Sequence, residues 1–317
     1  MTYQPAAISD DLSTLLKLPP WVTSGRAETL ETVAFRSGVA LQVLDQLVSN
    51  SSHGVPVKLL ANRLALSAAT ATSKLEGRLS RETDIRDAFH LTPPGAARGP
   101  DGDLLAFWRE AVRMRTGGAG EVADLIGAEY AGEVGVWIDA GLERARTHGP
   151  LAGCVTVLRT VLETDDRAER IACLLSDIVL THAMNWQAVL SVSAQRLTKT
   201  ALRELTTDGQ GAEMSVQVRF LESIEETIGL ARDLARRAQA LRTVAPKLRA
   251  KGSDAAVDLF LTEEAVAPAS MLSPMIQGTA IPMTDRAARR LCDRLVELGV
   301  ARELTGRPTF RLYGIAP

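Results

Sequence analysis

Apolar residues recur at helical spacing along most of this chain. Between Arg26 and Asn50, the positions Leu30, Val33, Ala34, Leu41, Leu44, Leu47 and Val48 fall on one side of a 3.6-residue period. Gly54-Val55-Pro56 interrupts the pattern, and a second helix rich in Ala and Leu then runs to about Gly77. A short helix over Asp84–His90 follows, then one over Asp101–Arg115 that carries Leu104, Leu105, Phe107 and Trp108. Further helices are predicted over Glu121–Arg146, Pro150–Glu163, Arg167–Trp186 and Val189–Leu205. The longest pattern is Met214–Arg242. There Leu221, Ile224, Ile228, Ala231, Ala235 and Ala238 repeat at alternating steps of three and four. Most of these side chains are small, which predicts a packing seam inside the body rather than a dimer zipper. Pro246 must end or kink this helix, and Gly252-Ser253 makes a boundary behind it.

The pattern changes near the C-terminus. Thr284 suits an N-cap, with Asp285 adding negative charge at the positive end of the helix dipole and Gly299 placed to stop the helix. Ala287, Ala288, Leu291, Leu295 and Leu298 share one face; Arg286, Arg289, Arg290 and Arg294 share the other, with Asp293 among them. Alternation then replaces helical spacing. Val300, Arg302 and Leu304 form one run and Phe310 and Leu312 another, joined by the turn-like Thr305-Gly306-Arg307-Pro308. With a first helix over Ala255–Ala265 and a short second one over Met271–Gln277, this order resembles a winged helix-turn-helix. Its departure is the Gly278–Met283 connection, which contains Pro282 and is longer than a tight helix-turn-helix turn. The expected fold is therefore mainly α: a tail over 1–20, an irregular all-helical bundle over 21–251, and a winged-helix-like module with a β-hairpin wing over 253–317.

Composition sharpens this picture in a few places. Among 317 residues, 46% are hydrophobic and 23% charged, as in an ordinary soluble globular chain, and only 4% are aromatic while Ala and Leu abound, which favours helices over sheets. The net charge of −2 argues against coating nucleic acid by bulk charge, so any such binding requires a patch. Residues 284–315 supply one, with seven arginines against four acids. Lys and Arg also outnumber acids from Arg232 to Lys251 (Arg232, Arg236, Arg237, Arg242, Lys247, Arg249 and Lys251 against Asp233), which could extend a nucleic-acid surface, although a solvated helix face is the commoner case. Cys154, Cys173 and Cys292 are odd in number and far apart, as expected of buried thiols in a reducing compartment. No signal-like or bilayer-spanning apolar run is evident, which points to the cytoplasm and away from membranes.

Recognisable chemistry is sparse. Gly117-Gly118-Ala119-Gly120 lacks the residues of a P-loop or dinucleotide turn, and no two histidines have metal-binding spacing. One polar cluster, Asp177, Thr181, His182 and Asn185, could line a pocket between helices, although a structural role for a lone His is the commoner case. No catalytic residue, cofactor or metal site is predicted, and the chain is not read as an enzyme. The segments Val244-Ala245-Pro246-Lys247-Leu248-Arg249-Ala250-Lys251-Gly252, Asp285 to Gly299, and Glu303-Leu304-Thr305-Gly306-Arg307-Pro308-Thr309-Phe310-Arg311-Leu312-Tyr313-Gly314, with the His90-Leu91-Thr92-Pro93-Pro94-Gly95 loop, resemble a bacterial domain-of-unknown-function family, number 1403. That resemblance covers nearly the whole chain and implies a bacterial, non-secreted protein; it implies no activity. The functional expectation thus rests on the residues. Arg286, Arg289, Arg290 and Arg294 are placed to meet the groove and phosphates of double-stranded DNA, and Arg307 and Arg311 to reach the backbone from the wing. Two alternatives remain: a module that docks on a protein partner or a second copy, and an enzyme using the His182 cluster.

Overall fold

Helices carry most of the chain in this computed structural model, which describes residues 15–23, 29–93, 95–114, 118–207, 210–248 and 251–315. Most of the expected tail lies outside the described residues, as do Arg26, Gly117, Arg115 and Arg249. After one helical turn at Pro20–Thr23, the body contains α1 (Leu30–Ser49), α2 (Val57–Leu75), α3 (Glu82–His90), α4 (Gly99–Ala111) and α5 (Ala119–Ile126). It continues through α6 (Val134–His148), α7 (Pro150–Thr164), α8 (Glu169–Ala183), α9 (Lys199–Thr207) and the long α10 (Gln210–Val244). Helices α6, α7 and α8 pack on one another, and α10 lies along α1. The close approach of α6 to α7 depends on two glycines: a Cβ on Gly153 would stand 2.5 Å from the Gly141 carbonyl oxygen. The predicted seam of α10 is buried, with Leu221 at 6% and Ile224, Ala231, Ala235 and Ala238 at 0% exposure. Pro246 sits in a 3-10 turn, Ala245–Lys247, that closes this helix.

Three expected helices are drawn differently. The Glu121–Arg146 helix is broken, because Gly127 turns the chain at φ 113 and a 3-10 turn over Ala128–Tyr130 separates α5 from α6. The Val189–Leu205 helix begins only at Lys199. Before it, residues 189–194 are all buried, so that stretch has no solvent-facing side. It crosses the interior in irregular form instead, with Asp177 Oδ1 accepting from the Val192 and Ser193 amides at 3.0 and 2.8 Å. The Met271–Gln277 helix is replaced by a π-helical turn at Pro268–Leu272 and an antiparallel bridge between Met275 and Pro282. Pro274 has no amide to donate, and the Ile276 amide donates to Ile281 at 2.9 Å rather than back along a helix.

The C-terminal stretch begins with α11 (Ser253–Phe260), which ends five residues earlier than expected, and contains α12 (Asp285–Glu297). Thr284 caps α12 by accepting from the Ala287 amide at 3.3 Å. Strands β1 (Ala301–Glu303) and β2 (Tyr313–Ile315) then pair antiparallel, Arg302 opposite Gly314. This confirms a hairpin, but its loop runs from Leu304 to Leu312, closed by the Leu304 amide donating to the Leu312 carbonyl at 2.8 Å. Val266, just after α11, pairs with Tyr313 as an isolated bridge beside β2. Several hydrogen bonds hold this stretch to the body: Asn62 Nδ2 to Thr262 O at 2.7 Å, Arg63 Nη2 to Ile315 O at 3.0 Å, and Arg86 Nη2 to Leu304 O at 3.1 Å. One apolar cluster includes residues from Leu15 to Ile315.

Candidate functional site

The two faces of α12 sort as its sequence pattern requires. Ala288, Leu291, Cys292 and Leu295 are buried, while Arg286, Arg289, Arg290 and Arg294 are exposed. Yet the arginines do not share one surface. Arg286, Arg290 and Arg294, at steps of four, line an open groove of about 890 Å³ with Lys247 and the 3-10 turn that ends α10. Among the described residues no carboxylate lines it. Among the described residues Arg286 and Arg290 have no ion-pair partner, whereas Arg294 pairs with Glu297 at 2.9 Å. The N-cap of α12, Thr284, also lines this groove.

Arg289 projects to the other flank. It pairs with Asp285 at 3.0 Å and lines a second pocket, of about 630 Å³, together with Asp293, Arg311 and Tyr313. The turn after α3 (His90 to Pro93), the Ala267–Ser270 segment and the hairpin loop around Phe310 form its remaining walls. Arg311 Nε donates to the Arg307 carbonyl at 3.1 Å, and Arg307 reaches Asp87 of α3 at 3.4 Å. Both arginines of the hairpin loop are thus placed away from the basic groove. Phe310 is 74% exposed and has φ 56, in the left-handed region that disfavours a bulky side chain.

Under this pocket lies an ionic cluster that the sequence does not announce. Glu263 and Glu264 follow α11 and are 6% and 2% exposed; Arg109 on α4 is 3% exposed. Arg109 bridges both carboxylates, and Glu264 Oε1 also meets His90 Nε2 at 2.6 Å. Burial pushes the Glu264 carboxyl up, but the charge and hydrogen bond of His90 and the charge of Arg109 outweigh it and hold the group at about 2. The Arg109 guanidinium is opposed first by its burial, and its two carboxylate partners raise it nonetheless. Gly314 permits the close packing here, since a Cβ would stand 2.8 Å from the Glu264 carbonyl oxygen. The only sequence signal for the cluster was two adjacent acids inside an apolar stretch.

The His182 cluster does not form. Asp177 and His182, five positions apart on α8, point to different sides: Asp177 is wholly buried, and His182 and Asn185 are exposed. Burial raises the Asp177 carboxyl to about 8, against the hydrogen bonds from Ser193 and Val192 that favour its charge. The three cysteines are buried and free; burial pushes Cys154 and Cys292 to about 12 and moves Cys173 upward too. Among the described residues no group of His, Cys, Asp and Glu is arranged to hold a metal ion, and no helix is long and apolar enough to cross a membrane.

Most of the stretches that line these two surfaces belong to the segments that carry the family resemblance, Ala267–Ser270 being outside them. The family described as protein of unknown function (DUF1403) matches residues 6–315, and the chain belongs to it. No curated protein matches the chain.

Proposed function

We propose that this DUF1403 protein is a cytoplasmic DNA-binding or DNA-associated regulator that meets the duplex with α12. The observation that carries the reading is the row of Arg286, Arg290 and Arg294 beside Lys247, in an open groove with no carboxylate among the described residues of its walls. Such a row neutralises phosphates along a strand, and a guanidinium can also take a guanine edge. The exposed arginine face of α12 needs no rearrangement to be reached. The order of elements supports the same reading: α11, the Val266 bridge, a turn, α12 and the β1–β2 hairpin follow one another as in a winged helix, with a π-helical turn in place of the second helix. The geometry narrows the contact set. Arg289 and Arg311 belong to the second pocket and Arg307 to Asp87, so the groove cations carry the binding.

Fluorescence anisotropy of labelled duplexes at several salt concentrations tests this. About four neutralised phosphates give a slope of log affinity against log salt near −3 to −4. Arg286→Ala with Arg290→Ala should weaken binding and reduce that slope by about 2. Absence of binding at low salt, or binding indifferent to the double replacement, sinks the DNA reading and leaves docking on a protein partner ahead.

A further inference from the structure

The pocket on the other flank of α12 plays no part in the proposed DNA contact. We propose that it binds a small organic acid, its carboxylate taken by Arg289 and Arg311 and its flat apolar body set against Phe310 and the neighbouring prolines. Its volume of about 630 Å³ is that of a small-molecule site. The charge in its walls favours an anion. Two guanidiniums face one carboxylate, Asp293, and that carboxylate already accepts from the Tyr313 hydroxyl at 3.3 Å. His90 is engaged below by Glu264, whose own charge is met by Arg109. The Arg289–Asp285 pair lies in solvent, with 68% and 50% of the two side chains exposed, so a ligand carboxylate can replace it at little cost.

The apolar half of the pocket is as specific. Leu91, Pro93, Pro268 and Pro308 form walls with little freedom to lose on binding. Phe310 holds its ring at the mouth, 74% exposed, on a backbone with φ 56. A solvated aromatic ring on a strained residue gains the fold nothing, and strain of this kind collects at ligand sites. A phosphorylated ligand fits less well, because among the described residues the N-cap of α12, Thr284, lines the other groove and no glycine lines this pocket.

The proposal does not depend on DNA binding, and its test reads the ligand directly. Calorimetry on the full chain would compare benzoate and 2-naphthoate with neutral benzamide and inorganic phosphate. The acids should bind, benzamide at least about tenfold more weakly, and phosphate not measurably. Arg289→Gln and Arg311→Gln should each weaken the acids by about tenfold or more, with the melting temperature unchanged, since both side chains are exposed. Phe310→Gly separates ligand binding from stability: glycine adopts φ 56 without strain, so the melting temperature should hold while affinity falls. No binding of either acid at about 10 mM overturns the proposal. So does phosphate binding as tightly as the acids, or acid binding indifferent to both arginine replacements.

Discussion

Burial by itself would push the Glu264 carboxyl up, yet His90 and Arg109 hold it at about 2, below its ordinary 4.5. A carboxyl held low in the folded chain stabilises the fold when ionised. Its contribution is complete above about pH 4.5 and is lost as pH falls toward 2. Asp177 acts with the opposite sign. Its folded value, raised by burial from 3.8 to about 8, means the folded chain keeps a proton that the unfolded chain releases. Stability should therefore decline as pH rises from about 4 to about 8. Denaturation midpoints across pH 2.5 to 8.5 check both limbs. Glu264→Gln should flatten the acid limb and Asp177→Asn the other; limbs unchanged by these replacements would mean that other groups set the profile. Neither residue was legible as perturbed in the sequence. What decides their charge is the identity of neighbours from other segments: Arg109 lies 155 positions from Glu264.

At the scale of one element, α12 shows how much of a helix is local information. Its cap, its stop and its two faces all follow from spacing within 16 residues, Thr284 to Gly299, and the structure reproduces each. Energetics should divide along the same faces. Leu295 is fully buried, so Leu295→Ala should cost about 2–5 kcal/mol. Arg290 is exposed and unpaired among the described residues, so Arg290→Ala should change stability by no more than about 0.5 kcal/mol. Chemical denaturation of the two variants decides this, and equal losses would refute the assignment of faces. The same local reading failed over residues 189–198 and 271–277. There the apolar content resembles that of a helix, but burial of every residue from 189 to 194 in one case and Pro274 in the other remove the reason or the means to form one.

Across the whole molecule, the C-terminal stretch is joined to the body by buried charge as well as apolar contact. Arg109 on α4 meets Glu263 and Glu264 beyond α11, and Arg63 on α2 meets the carbonyl of Ile315. Removing the central cation leaves two buried carboxylates short of a partner, so Arg109→Met should cost about 3–5 kcal/mol. Amide hydrogen exchange then tests how far the parts open together. The paired amides of Val266 and Tyr313 should open with a free energy close to that of α2 in the parent chain, and faster than α2 in Arg109→Met. Early exchange of those amides in the parent chain would show that the C-terminal stretch opens independently.

The sequence alone determined the helical character of the body, the seam of α10, the faces and cap of α12 and the presence of a terminal hairpin. Each depends on periodicity, capping or turn chemistry among near neighbours. The tertiary structure decided which charges meet. It divided the six arginines between a groove, a pocket and Asp87, and separated Asp177 from His182. It also joined Arg109 to an acid pair 154 and 155 positions away. A helical face fixes the direction of a side chain about its own axis; what stands opposite that face depends on how distant segments pack.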